Sequence, residues 1–263
     1  MSTYQVLFLD IDGTILKPDH TYDPSTKAAI QQVQKKGLEV FLATGRPLHE
    51  IRDLAKELNV HSFIGYNGAL ALYKEEPVVD EPMKSETVLK FLEIAKENQH
   101  EMVLYTSEKN YFTRLNTPVV QHFIEMFQLK QNELFTEEVA DQILGATLIN
   151  LKPEDQKLYH FDSTYHLSQV NVEALLHCYD VIRDRVNKGG AINKILEVLQ
   201  IPKDNAIAFG DGMNDKEMLQ TVGEGFAMGN AHPDLYQYAK HRTTSVTESG
   251  ISNGLKSLNL IEE

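Results

Sequence analysis

The sequence has no tryptophan, one cysteine and no long apolar run. The single thiol, Cys178, cannot form an internal disulfide, which fits a reducing compartment. The apolar run from Val6 to Leu9 stops at Asp10, far short of the roughly 20 residues that span a bilayer. The first residues also lack the basic and apolar regions of a secretion signal. We therefore expect a cytoplasmic protein without a membrane segment, in which Cys178 is a buried thiol.

Positive charge is also scarce, because 25 Lys and Arg residues stand against 38 Asp and Glu residues, a formal net charge of −13. Proteins that bind nucleic acid polymers need a basic surface, so this balance argues against such a partner. The remaining composition, with 42% hydrophobic and 24% charged residues, is that of a folded globular protein. A chain of 263 residues provides one large domain or two of moderate size.

Strands and helices alternate at both ends of the chain. The run from Val6 to Leu9 is typical of a buried parallel strand, and Asp23 caps the helix that follows it. Further strands are expected from Leu38 to Ala43 and from Ser62 to Tyr66, with a helix between them. After Lys188 the same alternation resumes. This pattern predicts an α/β fold with a doubly wound parallel sheet.

The middle of the chain has a different pattern. The strands from Met102 to Thr106 and from Tyr111 to Arg114 are expected to form a hairpin, and a helix and a strand are expected up to Ile182. This mixture of hairpins and helices predicts an inserted α+β domain at residues 82–185. The core is then built from residues 1–81 and 186–263.

Two carboxylates, Asp10 and Asp12, follow the first strand and precede Gly13, which suits a sharp turn. Open α/β sheets bind ligands at this end of their strands. One carboxylate can attack as a nucleophile while the other transfers a proton, provided that their environments separate their pKa values. A calcium loop is the alternative, but an EF-hand needs an acidic residue at its twelfth position, where this chain has Thr21.

The second strand ends in Thr44, Gly45 and Arg46. A hydroxyl and the free backbone N–H groups of a helix start suit an anion such as phosphate, although a capped helix start without a ligand fits equally well. Lys188 lies ahead of a helix in the resumed core, where it can act as a point charge for phosphate. A solvated lysine is the alternative at that position.

A further acidic cluster follows a strand of the resumed core. Asp211 and Asp215 flank Asn214, and hard carboxylate oxygens of this kind suit Mg²⁺. Together with Asp10 they carry three negative charges, which repel a phosphate dianion unless a divalent cation and Lys188 offset them. Charge counting therefore predicts a bound metal.

The four segments, in this order along the chain, resemble the motifs of the haloacid dehalogenase superfamily of phosphatases. The long insertion and the segments Tyr66 to Ala69 and Met228 to Ala231 are similar to its Cof-type branch, which has a large α+β cap. The region Ala239 to Thr244 lacks the Ala-Asp pair expected there in that branch. The matching segments are Asp10 to Thr14, Thr44 to Arg46, Lys188, and Gly210 to Asp215.

The resemblance implies a two-step hydrolysis of a phosphate monoester of a small metabolite. Asp10 would attack phosphorus to form an aspartyl phosphate, and Asp12 would protonate the leaving oxygen and then activate water. The resemblance also implies Mg²⁺ bound by Asp10, Asp211 and the backbone carbonyl of Asp12, with Asp215 orienting the site. The residues implied to bind phosphoryl oxygens are Ile11, Thr44, Gly45, Lys188 and Asn214.

Two other functions use similar residues. A phosphotransferase or phosphomutase would pass the phosphoryl group from Asp10 to a hydroxyl other than water. A regulator like a receiver domain would also use an Asp, Mg²⁺, a hydroxyl and a lysine, but it needs neither Asp12 nor a cap. Within the inserted domain, Arg114, Tyr105 and Tyr165 are candidates to face the substrate. Packing in the core is the alternative for the two tyrosines, whereas a guanidinium is rarely fully buried without a partner.

Overall fold

The computed structural model describes residues 4–170 and 172–262. Its strands, numbered in chain order, are β1 (Val6–Leu9), β2 (Glu39–Ala43), β3 (Ser62–Gly65), β4 (Leu70–Tyr73), β5 (Glu76–Asp80), β6 (Glu101–Tyr105), β7 (Asn110–Phe112), β8 (Asn132–Leu134), β9 (Gly145–Ile149), β10 (Tyr165–Gln169), β11 (Tyr179–Arg183), β12 (Ala206–Gly210), β13 (Glu224–Ala227) and β14 (His241–Arg242). Its α-helices are α1 (Pro24–Lys35), α2 (Arg52–Leu58), α3 (Ser85–Glu97), α4 (Pro118–Phe127), α5 (Lys188–Leu199), α6 (Lys216–Thr221) and α7 (Gly250–Ser257). None of these helices is long and apolar enough to cross a bilayer.

The chain forms two compact units. The described residues of the first unit are 4–46, 51–80 and 186–262. Those of the second unit are 47–50, 81–170 and 172–185. Each unit contains one sheet and its own hydrophobic core.

The first unit is built on an eight-stranded sheet in the order β14-β13-β12-β1-β2-β3-β4-β5. The strands from β14 to β3 are parallel, whereas β4 and β5 add an antiparallel edge. β1 pairs with both β2 and β12, and all four of its residues are buried. The predicted α/β class is therefore confirmed, and the hairpin of β4 and β5 is a feature that the sequence pattern did not indicate.

Apolar residues of alternate strand positions pack this sheet against its helices. Val6 and Phe8 of β1 lie in one cluster with Ile192 and Ile195 of α5. The side chain of Asp23 accepts the N–H of Ser25 at 2.8 Å, so it caps α1 as predicted. These contacts fix the strand ends that carry the polar motifs.

The second unit has a six-stranded sheet in the order β10-β11-β9-β6-β7-β8. All its pairs are antiparallel except that of β7 with β8. α3 packs on one face through Phe91, and α4 packs on the other through Phe123. Cys178 is buried in the second of these clusters, and burial raises the pKa of its thiol to about 12. The expectation of a buried thiol is thus confirmed.

One local prediction is wrong, and one strand is slightly shorter than predicted. The strand predicted from Ser62 to Tyr66 is present as β3, which ends one residue earlier, at Gly65, because Tyr66 has a left-handed backbone with φ of 53°. The wrong prediction is the helix expected just before the strand that ends near Ile182. Between β9 and β11 the described residues form the short 3₁₀ turns Pro153–Tyr159 and Glu173–Leu175 and the strand β10, with no α-helix among them. The apolar side chains of β10 alternate with polar ones, and this period of two suits the pairing with β11.

Candidate active site

Three neighbouring parallel strands place their carboxyl ends side by side. β1 leads into Asp10, β2 into Thr44 and β12 into Asp211. Gly13 has a φ of 82°, and a Cβ atom at this position would lie 2.2 Å from Oδ2 of Asp211. Only glycine allows the two acidic loops to approach this closely. The first and fourth sequence motifs therefore meet at one edge of the sheet.

Lys188 is buried between two carboxylates. It begins α5, where the side chain of Asn187 caps the helix by accepting the N–H of Gly190 at 2.9 Å. The Lys188 ammonium donates to Oδ1 of Asp10 at 2.6 Å and to Oδ1 of Asp215 at 2.7 Å. Burial lowers the pKa of this ammonium, but the two carboxylates outweigh burial and raise its pKa above the ordinary value. The alternative of a solvated lysine is therefore wrong.

Asp215 holds the loop that carries Asp211. Its Oδ1 accepts from Lys188, and its Oδ2 accepts the backbone N–H groups of Asp211 and Gly212, each at 3.0 Å. Asp211 is placed further by the hydroxyl of Thr14, which donates to its Oδ1 at 3.1 Å. Both oxygens of Asp215 are thus engaged within the protein.

The cluster carries more negative than positive charge. Burial, followed by the neighbouring Asp215 carboxylate, raises the pKa of Asp10 well above its ordinary value, although Lys188 opposes this effect. The same two causes raise the pKa of Asp211 to about 7. Carboxylates held together away from water are costly until a proton or a cation joins them.

The donor set fits a small divalent cation. Asp10, Asp211 and Asp215 each offer a carboxylate oxygen, and these oxygens lie within 4.8 Å of one another. Mg²⁺ prefers oxygen ligands of this kind. Among the described residues, Lys188 is the cation that pairs with this cluster of three carboxylates, so a dication would also correct the charge imbalance.

The second motif lies on the adjoining strand. Thr44 is buried, and its Oγ1 accepts the N–H of Arg46 at 3.0 Å. The hydroxyl therefore caps the turn, as the ligand-free alternative expects, while its own hydrogen can serve another acceptor. Gly45 is exposed. Ile11 is fully buried on the neighbouring loop after β1.

Asn214 belongs to the exposed part of the loop after β12. Its Nδ2 donates to Oδ1 of Asn67 at 3.0 Å, which joins the loop after β12 to the loop after β3. The backbone N–H of Asn67 donates in turn to the carbonyl of Thr44 at 3.1 Å. The implied phosphate-binding residues of the first unit thus lie on loops that contact one another.

Asp12 differs from the other acids because its side chain is half exposed and paired with an arginine. Nε of Arg46 donates to Oδ2 of Asp12 at 2.7 Å, and Nη2 donates to Oδ1. Two parallel bonds of this kind fix the orientation of a carboxylate. The sequence places Arg46 in the second motif, but no role was predicted for it. An arginine directly after residues expected to bind phosphate was a signal that could have identified it.

Asn230 was also missed. Its Nδ2 donates to the carbonyl of Gly13 at 2.8 Å and lies 3.5 Å from Oδ2 of Asp211, while its Oδ1 accepts the N–H of Val246 at 2.8 Å. Asn230 therefore ties the two acidic loops together. Its segment appeared in the sequence only as a feature of the Cof-type branch.

The three candidates in the second unit lie apart from one another. Arg114 pairs with buried Glu101 at 2.5 Å. The hydroxyl of Tyr105 lies 3.0 Å from that of Thr147, and Tyr105 packs with the cluster that contains α4. Tyr165 instead packs beside α3 on the opposite face of the sheet. Local pairing and packing thus account for their positions, and a role toward substrate stays a prediction.

Known proteins match this architecture over nearly the whole chain. Residues 7–255 match the family of haloacid dehalogenase-like hydrolases. YkrA of Bacillus subtilis (strain 168) is 30% identical over 98% of this chain and 99% of its own length. The 5-amino-6-(5-phospho-D-ribitylamino)uracil phosphatase YitU of the same organism is 26% identical over 95% of this chain and 96% of its own length.

A solved structure agrees with these relationships. The crystal structure of a hypothetical protein from Geobacillus kaustophilus HTA426 superposes with a TM-score of 0.90 at 30% identity, covering 98% of this chain and 100% of that one. Three observations indicate the same family: the order of the motifs along the chain, their meeting at one edge of the sheet, and the matches over nearly the full length. The chain therefore belongs to the haloacid dehalogenase-like hydrolases, and within them to the Cof-type phosphatases.

Proposed function

We propose that the chain hydrolyses phosphate monoesters of small metabolites, with Mg²⁺ and through an aspartyl-phosphate intermediate. The observation that carries the proposal is the buried cluster of Asp10, Asp211 and Asp215 around one cation, Lys188. An excess of negative charge at the ligand-binding end of an α/β sheet is offset when a dication shares the site. The same dication makes the site attractive to a phosphate dianion.

Asp10 is the proposed nucleophile. Its carboxylate oxygen attacks phosphorus in line with the ester oxygen, so that a bond from Asp10 to phosphorus forms as the bond to the leaving oxygen breaks. Asp12 donates a proton to that oxygen, and an alcohol departs. Water, deprotonated by Asp12, then attacks the aspartyl phosphate, which releases inorganic phosphate and restores both aspartates.

The metal would be held by the side chains of Asp10 and Asp211 and by the backbone carbonyl of Asp12. When bound, Mg²⁺ supplies positive charge against the phosphoryl oxygens. Asp215 is assigned an orienting role, because its two oxygens already accept from Lys188 and from two backbone N–H groups.

Five groups of the first unit are proposed to bind the phosphoryl oxygens. Their common property is a hydrogen that can be donated to an anion: an ammonium, a hydroxyl, a side-chain amide or a backbone N–H. They are the side chains of Lys188, Thr44 and Asn214 and the backbone N–H groups of Ile11 and Gly45.

The inserted domain, residues 82–185, is proposed as the cap that selects the metabolite. Its insertion between the second motif and Lys188 supports this role, since binding groups outside the core can differ while the chemistry stays the same. Sugar phosphates and nucleotide or cofactor phosphates are the proposed substrate class. The relative YitU is named for a phosphorylated ribityl compound. The single thiol of this chain, Cys178, is buried, which supports a reducing compartment, the cytoplasm.

A panel of phosphorylated metabolites assayed for phosphate release tests the function. We expect Mg²⁺-dependent turnover of at least one sugar or cofactor phosphate, its loss with EDTA, and a fall of roughly 1,000-fold or more in kcat for Asp10→Asn. Circular dichroism should show the variant folded. Retained turnover in Asp10→Asn would rule out the nucleophile, and phosphate transfer to an added sugar in preference to water would make the enzyme a phosphotransferase.

A further inference from the structure

The loop after β3 has an unusual backbone. Tyr66, Asn67 and Gly68 follow one another with φ angles of 53°, 54° and 108°. Non-glycine residues rarely adopt this left-handed region, and two in succession carry a conformational cost. Such a turn persists only where surrounding contacts stabilise it, so the residues that it contacts indicate its functional role.

The contacts of the turn reach the second motif first. The N–H of Asn67 donates to the carbonyl of Thr44 at 3.1 Å, and that of Tyr66 donates to the carbonyl of Arg46 at 3.4 Å. A Cβ atom at Gly45 would lie 3.1 Å from the carboxamide of Asn67. The turn therefore borders the backbone that is proposed to bind phosphate.

The turn also reaches the start of α5. A Cβ atom at Gly68 would lie 2.4 Å from the carbonyl oxygen of Asn187 and 3.2 Å from the backbone nitrogen of Lys188. Glycine at this position lets the turn press directly against the residue that carries the buried ammonium. Thr44 and Lys188 are thus supported from the same three residues.

The third contact is a side chain. Oδ1 of Asn67 accepts one hydrogen of the Asn214 amide at 3.0 Å, across 147 positions of the chain. Asn214 is otherwise exposed, in the middle of the short 3₁₀ turn Met213–Asp215. One hydrogen of its Nδ2 is used by Asn67, which leaves the other for an acceptor outside the protein.

We propose that Asn67 is a positioning residue for phosphate. Its carboxamide holds the amide of Asn214 in place, and its backbone N–H holds the carbonyl of Thr44, so that both groups are set before the phosphoryl group arrives. This inference rests on the proposed function, since it assigns Asn67 a part in binding the same anion. Asn67 itself acts through its neighbours and donates nothing to the phosphate.

A double-mutant cycle tests the proposal. Asn67→Gly keeps the left-handed backbone and removes only the carboxamide, while Asn214→Ala removes the group that it holds. The quantity measured is the Kd of inorganic phosphate by calorimetry on the Mg²⁺-loaded protein. We expect a rise of roughly 5- to 10-fold for Asn67→Gly and roughly 10- to 100-fold for Asn214→Ala. The double variant should match Asn214→Ala within about twofold.

Asn59 provides the matched control. It is an exposed asparagine with a φ of 53° at the end of α2, so Asn59→Gly makes the same substitution at the same backbone geometry. Its Kd for phosphate should stay within about twofold of the unmodified protein. Thermal unfolding of both glycine variants shows that each is folded.

Asn67→Asp gives a second route, because it keeps an oxygen acceptor for Asn214. High salt screens the added charge, so at 1 M NaCl its Kd should return to within about threefold of the unmodified protein, whereas Asn67→Gly stays weak. An unchanged Kd in Asn67→Gly, or an equal effect of Asn67→Gly with and without Asn214, would overturn the proposal. Phosphate binding and turnover by the unmodified protein would show in that case that the proposed function still stands.

Discussion

In the first unit, three carboxylates gather at one end of the sheet, whereas in the second unit two buried polar groups, Glu101 and His100, each have their own partners beside them. Glu101 is only 2% exposed, and it accepts from Arg114 at 2.5 Å and from the hydroxyl of Thr113 at 2.6 Å. His100 lies 2.8 Å from the hydroxyl of Tyr159 and 3.2 Å from Asp155. Glu101 and His100 thus each have a nearby partner that is of opposite charge or that forms a hydrogen bond with them.

The cluster around Lys188 is different, because Asp10, Asp211 and Asp215 share a single cation. A protein gains nothing in stability from this surplus, since burying a carboxylate without its own partner costs free energy. Burial of charge alone therefore does not mark a site. An imbalance of buried charge does, because a ligand must complete it.

The largest loss of stability is expected when Lys188, the cation of the acidic cluster, is removed, and Arg114, the cation paired with Glu101, provides the comparison. Lys188→Met leaves buried carboxylates without a counter-charge and should lower the free energy of unfolding by about 3–5 kcal/mol. Arg114→Met also removes a cation from a buried carboxylate, but its own side chain is 60% exposed and Glu101 keeps Thr113. Its cost should stay below about 1 kcal/mol. Urea unfolding followed by circular dichroism measures both losses.

Equal losses of unfolding free energy in Lys188→Met and Arg114→Met would contradict the proposed difference between the acidic cluster and the paired carboxylate Glu101. A further check is pH, because protons can neutralise Asp10 and Asp211 once Lys188 is gone. The loss in Lys188→Met should therefore be smaller at pH 5 than at pH 8, and Arg114→Met should show no such trend.

The next effect concerns arginines that pair with carboxylates. Arg46→Lys removes the two-bond contact with Asp12, so the proposed acid and base loses its orientation. We expect kcat to fall roughly 10- to 100-fold with little change in stability. Arg114→Lys makes the same exchange in the second unit and should leave kcat unchanged. Steady-state kinetics on one phosphate ester compares them, and similar kcat values for both variants would count against a role for Arg46.

The sequence was sufficient to place the strand-end residues. Asp10, Thr44 and Asp211 each follow an apolar run, and the carboxyl ends of neighbouring parallel strands meet by geometry. The partners of these residues were not predictable in the same way. Asn214 and Asn67 are 147 positions apart, and their contact depends on a left-handed turn that begins with a tyrosine, a residue with no preference for that conformation.

The second unit was harder for a related reason. Both faces of its sheet are covered, so even where apolar and polar residues alternate, as in β10, the period does not show which face of the sheet an apolar side chain takes. Tyr105 and Tyr165 therefore looked equivalent in sequence, although the structure puts them on opposite faces. The register of β10 with β11, which decides this, is a property of the pairing and not of either strand alone.

The smallest expected effect is a pH dependence of stabilisation by Mg²⁺. Burial and Asp215 raise the pKa of Asp211 to about 7, so its carboxylate holds a proton at pH 6 that a metal must displace. In the metal-free protein, a raised carboxyl pKa means that stability falls as pH rises from the ordinary value toward 7. Mg²⁺ should therefore raise Tm by roughly 3 °C more at pH 8 than at pH 6.

Two asparagine variants locate this dependence. Asp211→Asn should reduce the difference between pH 6 and pH 8, because its own displaced proton is gone while that of Asp10, whose pKa is also raised, remains. Asp180 of the second unit is the matched control, since burial also raises its pKa while its carboxylate accepts from Thr147 at 2.6 Å. Asp180→Asn should leave the difference intact. Thermal unfolding with 10 mM MgCl₂ and with EDTA measures it, and an undiminished difference in Asp211→Asn would show that Asp211 does not carry a metal-linked proton.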